Sequence, residues 1–550
     1  MGLPNSAEVC LHPPPLKDLH ALKNLRYVDP FRDKKAVSAP TSLEILNLVT
    51  FGTFNSQRCL TNLPAPNYVV PREDLALSVV QALENSRTVL VHSYLGNGKT
   101  IFLSILSYYL STNGYKVFNC NSANSDMSRE IELIKSTENP IILFDSYDVA
   151  INGIPTLREA APNAKFIVAV RTGNEDVRFH EIQDLLPAPI QRISINKISR
   201  NDKNTFKALL SNAGVLKANL AEKIDRGTDF RDIVTTVYDH EVIREKIAVA
   251  VAPLFDDPDT SSVLISCLLL SLIGADYDPA LLRLLSGSDP YVQLRKHEEI
   301  SAEIFRLDDE RLEVRSPVFV EYLIDKHCSD EDIIEIAEKI AIIAVQRKQI
   351  RGYGTILSRL LRISTLRKLL SGPNKLDDIA NLFDRLKRDI DVNREPLFWL
   401  QYAILSDERG QSSLAESFLE TAYDRANESL NFRTYQIDTY ALRLLLKIEE
   451  QSELEDVTRF EKIMEKSELV LSMLNDDSHR LHAIRVLEGF EPFVKSRAVK
   501  LTTTERNALV YQINRLVTAL TTFPAEVRAE TGSDSVNRKL ESAIRIVVSL

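Results

Sequence analysis

The stretch "SYLGNGKT" (93–100) decides how the first half of this chain folds. It places two glycines before a lysine and a threonine, in the spacing of a phosphate-binding loop, although Ser93 stands where that pattern has glycine. The apolar run "TVLVHS" (88–93) leads into the stretch, and "KTIFLSILSYYLSTNG" (99–114) has apolar residues at helical spacing. A strand, a glycine-rich turn and a helix are therefore predicted, in the order that such a loop requires.

The residue types in this turn suit the binding of phosphate. Backbone N–H groups and a helix N-terminus attract phosphate oxygens, Lys99 can bridge the β and γ phosphates, and Thr100 can ligate Mg²⁺. The alternative is a strand-turn-helix segment that merely contains Gly-Lys-Thr. The candidate nucleotide-binding residues in this stretch are Ser93, Gly96, Asn97, Gly98, Lys99 and Thr100.

Three further runs predict strands of the same sheet. They are "YKVFNCNS" (115–122), "PIILFDS" (140–146) and "AKFIVAVRTG" (164–173), and amphipathic helical patterns separate them. Strands that alternate with helices predict an α/β fold, a parallel sheet with helices on both faces.

Charged residues follow two of these strands. Asp145 ends its strand and is predicted to hold Mg²⁺ opposite Thr100. Asp148 is a candidate general base that orients the attacking water, or it caps the next turn. Arg171 faces the same crevice at the carboxyl ends of the strands and is predicted to contact the γ-phosphate, or it is a surface residue.

The strand signal fades after residue 200. The segment "FRLDDERLEVRSP" (305–317) predicts a hairpin among helices, which is typical of a winged helix. Residues 331–550 are almost entirely amphipathic helix. Trp399, Ala403, Ala415 and Ala422 match one tetratricopeptide-like unit, and a plain helical bundle is the alternative.

Composition excludes several classes of protein. The net charge of −10 argues against a general coat for nucleic acid, and the five scattered cysteines lack the spacing of a zinc site. The longest apolar run, "VLISCLLLSLIGA" (263–275), is too short to cross a bilayer. We expect a cytoplasmic protein with free thiols and no membrane partner.

With these motifs, the chain resembles the STAND class of signal-transducing P-loop ATPases, closest to its NACHT-like branch. The likeness comes from "SYLGNGKT", from "FDSYD" (144–148) with a second acid three positions after the first, and from the arginine-ended "VAVRT" (168–172). It also comes from "YVVPRED" (68–74), which resembles the family segment that lies along the adenine. The resemblance implies ATP or ADP with Mg²⁺ as cofactors, and Val70 and Arg72 as further nucleotide-binding residues.

The resemblance also implies an order of domains. An irregular adaptor segment (1–66) would precede the P-loop NTPase core (67–200), a small helical domain (201–258), a winged helix (259–330) and a helical, TPR-like sensor (331–550). Family members often place a winged-helix histidine against bound ADP. This chain has no histidine in "VRSPVFVEYLI" (314–324), where Arg315 is either a substitute or a plain residue of the hairpin.

A family member of this kind acts as a switch. The C-terminal helices would sense a trigger (a phage protein or nucleic acid), ADP would exchange for ATP, and the chain would form a homo-oligomer that acts through a separate effector protein, in defence against phage. ATP hydrolysis would be slow and would reset the switch. Two alternatives remain open: a helical scaffold with a vestigial nucleotide fold, and a transcriptional regulator of the same class.

One local charge pattern concerns partners. Between Lys339 and Lys375 there are nine Lys or Arg residues and no Asp or Glu. This stretch predicts either a face that binds nucleic acid or an acidic partner, or a solvated helix face balanced by acidic helices nearby.

Overall fold

The computed structural model describes residues 22–29, 39–56, 68–94, 96–123, 127–145, 147–171, 185–275, 278–308, 311–350, 352–429, 432–451, 457–475, 480–524, 528 and 531–550. Contacts divide the chain into two units. The first comprises residues 1–264 and 288–326, and the second comprises residues 265–287 and 327–550.

A six-stranded mixed sheet organises the first unit, with the strand order β1-β3-β4-β5-β2-β6. Strand β1 runs antiparallel to β3, and the other neighbours are parallel. The strands are β1 (Leu25–Tyr27), β2 (Thr88–Ser93), β3 (Val117–Cys120), β4 (Ile141–Phe144), β5 (Lys165–Arg171) and β6 (Ile190–Ser194).

Helices cover both faces of this sheet, because successive side chains of a strand point to opposite sides. Leu90 and Phe118 belong to the core beneath α4 and α5, whereas Val89 and Val91 belong to the core beneath α2 and α3. These four helices are α2 (Glu73–Asn85), α3 (Lys99–Thr112), α4 (Ser128–Ser136) and α5 (Tyr147–Ala160). The predicted α/β sheet is confirmed, with an antiparallel edge strand that the sequence did not reveal.

The N-terminal segment, expected to be irregular, contains strand β1 and helix α1 (Ser42–Phe51). A capping box between Thr41 and Glu44 starts this helix, and Gly52 ends it in the left-handed region. Strand β1 is anchored by Glu130, whose Oε1 accepts hydrogen bonds from the backbone N–H groups of Lys23 and Asn24, both at 2.9 Å. Segments as short as these show little hydrophobic periodicity in the sequence, so tertiary contacts determine their secondary structure.

In its described residues, the rest of the first unit consists of helices and one hairpin, with the segments that connect them. Strands β7 (Phe305–Asp308) and β8 (Arg311–Val314) pair antiparallel where the sequence predicted a hairpin. The helices are α6 (Arg200–Asn212), α7 (Ala218–Arg226), α8 (Phe230–Tyr238), α9 (Glu241–Asp256), α10 (Pro258–Leu272, which continues into the second unit), α12 (Pro290–Arg295), α13 (Glu298–Ile304) and α14 (Pro317–His327). We call residues 290–326 the hairpin module.

Helix α1 packs between the hairpin module and α8. The Phe51 ring meets Phe319 edge-on at 5.0 Å, and Tyr238 meets Phe319 at 5.8 Å. The buried hydroxyl of Tyr238 donates to the carbonyl of Thr50 at 2.7 Å. Aromatic rings bury a large apolar area in such geometry, so these three segments form one local core.

The second unit is entirely helical in its described residues. Its helices are α11 (Pro279–Ser286), α15 (Asp330–Gln346), α16 (Tyr353–Leu360), α17 (Ile363–Leu369), α18 (Lys375–Leu386), α19 (Ile390–Asn393), α20 (Pro396–Glu408), α21 (Ser412–Glu428), α22 (Tyr435–Gln451), α23 (Val457–Leu474), α24 (Arg480–Val486), α25 (Phe490–Arg497), α26 (Thr503–Thr521) and α27 (Ser533–Val548), with a 3₁₀ turn at Leu487–Gly489. A largely helical C-terminal region is thus as expected. None of the helices that the structure describes is long and apolar enough to cross a membrane.

Helices α20 and α21 form the helical hairpin that contains the tetratricopeptide-like residues. Ala403, Ala415 and Ala422 are fully buried, and Trp399 packs on Phe418 with the ring centroids 5.5 Å apart. Small residues at these positions let the two helices approach closely.

Several cations of the basic stretch between Lys339 and Lys375 are bound by neighbouring groups. Lys348 pairs with Glu395 at 2.6 Å, and Arg367 pairs with Glu408 at 3.1 Å. Arg359 donates to the carbonyl of Gly274 at 2.7 Å. These contacts favour the solvated helix face over a binding face for nucleic acid.

Candidate functional site

The turn between β2 and α3 has the backbone of an anion-binding loop. Gly96 and Gly98 adopt φ values of +89° and +73°, a region that residues with a Cβ rarely enter. Helix α3 begins at Lys99, so its first backbone N–H groups lack carbonyl partners within the helix. A Cβ added at Gly98 would meet no atom of the described residues within 4 Å, so there is open space beside the start of this helix. Leu95 lies outside the described residues.

Lys99 folds back over this loop. Its Nζ donates to the hydroxyl of Ser93 at 3.0 Å, to the carbonyl of Ser93 at 3.3 Å and to the carbonyl of Tyr94 at 3.4 Å. The hydroxyl of the fully buried Ser93 donates in turn to the Tyr94 carbonyl at 2.9 Å. Ser93 thus takes part in holding the ammonium group, which a glycine at this position could do only through its backbone.

The sheet brings the ends of three strands together. Strand β5 lies between β2 and β4, and Arg171 is opposite Ser93 in the register of β5 and β2. Asp145 directly follows β4 and is exposed. Because two strand spacings separate β4 from β2, Asp145 lies on the order of 10 Å from the loop in the plane of the sheet. This gap is wide enough for phosphate oxygens and a hydrated cation.

Two of the predicted site residues are only partly described. Asp148 lies in the first turn of α5, and Arg171 is the last residue of β5. The side chains of both fall outside the described part of the structure. Their roles at the phosphate therefore stay predictions, as does the role of Thr100, which is exposed in the first turn of α3.

Val70 and Arg72 are buried, and Arg72 contacts residues next to Asn196 and Arg231, which themselves bond to the loop. The Nη2 of Arg72 donates to the carbonyl of Lys197 at 2.6 Å, its Nε lies 4.0 Å from Asp202, and its guanidinium lies over the ring of Phe230 at 5.1 Å. Burial lowers the pKa of Arg72 to about 10, although Asp202 acts in the opposite direction. Among the described residues, Nε and Nη1 of Arg72 lack a hydrogen-bond partner. Such unused donors on a buried side chain fit a polar ligand.

Asn196 and Asn97 join the loop to its surroundings. The Oδ1 of Asn196 accepts from the Tyr94 N–H at 2.8 Å and from the amide of Asn97 at 3.1 Å. The Oδ1 of the buried Asn97 accepts from the backbone N–H of Arg231 at 3.0 Å. The side chain of Asn97 therefore fixes the loop against the segment after β6 and against α8.

Helix α14 of the hairpin module covers the other side of the loop. A Cβ added at Gly96 would lie only 2.0 Å from Cγ2 of Val318, so Gly96 and Val318 are in close contact. The guanidinium of Arg231 pairs with the carboxylate of Glu321 on the same helix at 2.5 Å. The side chain of Arg315 makes hydrogen bonds within the hairpin module. Its Nε donates to the carbonyls of Ala302 at 2.7 Å and of Phe305 at 3.1 Å. This contact is that of a plain hairpin residue.

Several residues of this site were not predicted from the sequence. Asn196 follows β6 by two positions, so the reasoning that identified Asp145 at a strand end could also have found it. Phe230, Arg231, Val318 and Glu321 carry no local signal, because only the tertiary fold brings their segments to the loop.

The site offers few groups for a metal. No cluster of three or more His, Cys, Asp or Glu side chains that could hold a metal ion occurs within the described residues. Mg²⁺ in nucleotide sites is typically held by one or two protein oxygens together with phosphates and water. Thr100 and Asp145 are the residue types that such a site needs.

Comparisons with known proteins leave the family of this chain open. No family model and no curated protein matches it. Among solved structures, it matches the crystal structure of a STAND protein with a tetratricopeptide repeat sensor from Pyrococcus horikoshii, at 11% identity and a TM-score of 0.25, over 87% of this chain and 76% of that chain. A TM-score of this size is too low to establish a shared fold. The chain's own residues therefore carry the functional conclusion.

Proposed function

We propose that this chain is an ATP-dependent signalling switch, which binds ADP or ATP with Mg²⁺ at the loop of residues 93–100. The observation that carries the proposal is the position of Lys99. Its ammonium lies across a glycine loop that opens a helix, and open space remains in front of Gly98. A half-buried lysine held by carbonyl and hydroxyl oxygens is ready to exchange them for phosphate oxygens.

Named residues would bind the phosphate end of the nucleotide. Lys99 and the first N–H groups of α3 would hold the β and γ phosphates. Thr100 and Asp145 would ligate Mg²⁺, directly or through water, and the ion would neutralise charge on the phosphates. In this proposal Asp148 orients a water molecule for slow hydrolysis, and Arg171, opposite Ser93 in the sheet, contacts the γ-phosphate.

The other end of the nucleotide would lie beside Val70 and Arg72. Arg72 has buried donors to offer, and Phe230 supplies an aromatic surface next to it. The carbonyl of Lys197 already accepts from Arg72, so a ligand there would meet a guanidinium that is held in place. This arrangement supports the role that the sequence resemblance implies for the segment 68–74.

The contacts of α8 and α14 with the loop support a closed state. The hairpin module, which we interpret as a winged helix, would stay packed on the loop with ADP bound and would separate when ATP replaces it. A trigger at the C-terminal helices must then bind the open state more tightly, by about 5.5 kcal/mol for a nearly complete conversion. The open form would assemble into a homo-oligomer.

The proposed class is the NACHT-like branch of STAND ATPases, because an acid follows Asp145 by three positions and a TPR-like helical region follows the core. The proposed setting is the cytoplasm, in defence against phage, with a phage protein or nucleic acid as trigger and a separate effector protein. The proposed domains keep the boundaries 1–66, 67–200, 201–258, 259–330 and 331–550.

Nucleotide binding by the full chain tests this proposal. Fluorescent ATP and ADP should bind the wild type with Mg²⁺ and should bind Lys99→Ala at least tenfold more weakly, because a charged hydrogen bond contributes about 1.5–3 kcal/mol. Lys135→Ala, which removes an exposed lysine of α4, is the matched control and should bind normally. Equal binding by wild type and Lys99→Ala, or binding by neither, would instead indicate a helical scaffold with a vestigial nucleotide fold.

Assembly is measured separately by light scattering. Asp148→Asn should slow hydrolysis and trap an ATP-dependent oligomer, whereas ADP should leave the chain small. A single unchanged size for this variant in ADP and in ATP, with the trigger also present, would contradict the switch.

A further inference from the structure

The ion pair between Arg231 and Glu321 lies at the edge of the candidate phosphate site. The backbone N–H of Arg231 donates to Asn97 of the loop at 3.0 Å, and its Cγ lies 3.8 Å from the position of a Cβ on Gly96. Glu321 is one turn after Val318, which contacts Gly96. The pair therefore connects α8 to the hairpin module directly beside the loop.

The two groups differ in what a bound nucleotide would do to them. A guanidinium pairs equally well with carboxylate and with phosphate, because its planar N–H groups match the oxygens of both. A carboxylate next to phosphate is repelled unless a cation lies between them. Glu321 and a phosphate group at the loop would therefore compete for Arg231.

The structure permits such an exchange. The backbone of Arg231 is fixed to the loop through Asn97, whereas its side chain is 39% exposed and has room to turn. Glu321 is 31% exposed, so it can be hydrated once Arg231 leaves it. The competition is strongest for a triphosphate, because its terminal phosphate adds negative charge that a diphosphate lacks.

We propose that Arg231 is a nucleotide-sensing residue that exchanges Glu321 for the terminal phosphate of a bound triphosphate. This inference rests on the proposed function and adds the regulation of that site. Loss of the pair removes one attachment of the hairpin module beside the loop, while the Val318 contact with Gly96 remains. A diphosphate leaves the pair intact, so the module stays attached.

Binding constants of the full chain for ADP and for adenylyl-imidodiphosphate, both with Mg²⁺, test the exchange. Arg231→Gln should weaken the triphosphate analogue about tenfold and should change ADP by less than about twofold. Glu321→Gln should tighten the analogue several-fold, because the competitor for Arg231 has lost its charge. Glu222→Gln, in the exposed pair of Arg226 with Glu222, is the matched control and should leave both constants unchanged.

The outcomes separate this inference from the proposed function. If the wild type binds neither nucleotide, both fail. If Lys99→Ala abolishes binding but Arg231→Gln and Glu321→Gln change ADP and the analogue by the same factor, or change neither, only the exchange is refuted. Should Arg231→Gln not fold by circular dichroism, Glu321→Gln decides alone: unchanged or weaker binding of the analogue refutes the exchange.

Discussion

Replacement of Gly96 by alanine tests the contact between the loop and the hairpin module. The new Cβ would lie 2.0 Å from Cγ2 of Val318 and would sit on a backbone with φ of +89°. The left-handed backbone costs about 1–2 kcal/mol, and the steric overlap costs about 1–3 kcal/mol. We expect Gly96→Ala to lower the free energy of unfolding by about 2–5 kcal/mol.

Truncation of the partner side chain should recover part of this loss. Val318→Ala removes Cγ2 and leaves a Cβ at 3.5 Å from the new methyl group, which is an ordinary contact. Val318→Ala alone should cost about 1.5–3 kcal/mol for its buried methyl groups. The double variant should be more stable than the sum of the single losses predicts, by about 1–3 kcal/mol.

The assay is equilibrium urea denaturation followed by far-UV circular dichroism. Gly98→Ala is the matched control, because Gly98 has φ of +73° and open space around it. Gly98→Ala should lose only the backbone contribution to the free energy of unfolding. In a double variant, this loss should be additive with the loss from Val318→Ala. If the losses of Gly96→Ala and Val318→Ala also add to within about 0.5 kcal/mol, the loop and α14 do not touch in solution.

Three further changes test other contacts. Ser93→Gly removes the hydroxyl that holds Lys99 and would compete with phosphate for its ammonium, so nucleotide should bind about fivefold tighter, measured by fluorescence titration. Asn196→Ala leaves donors of the loop without their acceptor and should cost about 1–3 kcal/mol in urea denaturation. Glu130→Gln weakens the anchor of β1 and should cost about 1–2 kcal/mol at pH 7. Burial raises the pKa of Glu130, but hydrogen bonds lower it more, to a net value below 4.5. Its stabilisation is thus complete above pH 4.5 and declines as the pH falls through the folded-state pKa, where wild type and Glu130→Gln should converge.

Each of these has an outcome that contradicts it. Weaker binding by Ser93→Gly would mean that the hydroxyl assists the bound state instead of competing with it. An unchanged urea midpoint for Asn196→Ala would remove this residue from the support of the loop. A difference between Glu130→Gln and wild type that stays constant from pH 7 to about pH 3 would exclude the ionised carboxylate as the anchor.

The sequence predicted the parts of the fold that local pattern determines. The run of apolar residues before Ser93 and the helical spacing after Lys99 predict β2 and α3, and parallel packing then places Asp145 and Arg171 at the same edge of the sheet. The side chain of Asn97 shows what such reasoning misses. Its position in the motif makes it a candidate nucleotide-binding residue, and nothing in the sequence indicated that its side chain joins the loop to Asn196 and Arg231.

The features that could not be predicted from the sequence depend on contacts between segments that lie far apart along the chain. Arg231 and Glu321 are ninety positions apart, and nothing in either neighbourhood indicates that they meet. Strand β1 is only three residues long, so its pattern is too short to be distinguished from a loop. Both the ion pair and strand β1 can be recognised only in the folded structure, because packing against the loop or the sheet determines them.

The antiparallel strand β1 also protects one border of the sheet. It supplies the backbone partners of β3 at Leu25, Arg26 and Tyr27, and Tyr27 packs on Phe118 with the rings 5.2 Å apart. A chain shortened to begin at residue 67, where the motifs start, would leave β3 with an unpaired row of N–H and C=O groups. Such a border pairs readily with other chains, so the shortened protein should aggregate even though every residue of the candidate nucleotide site is present.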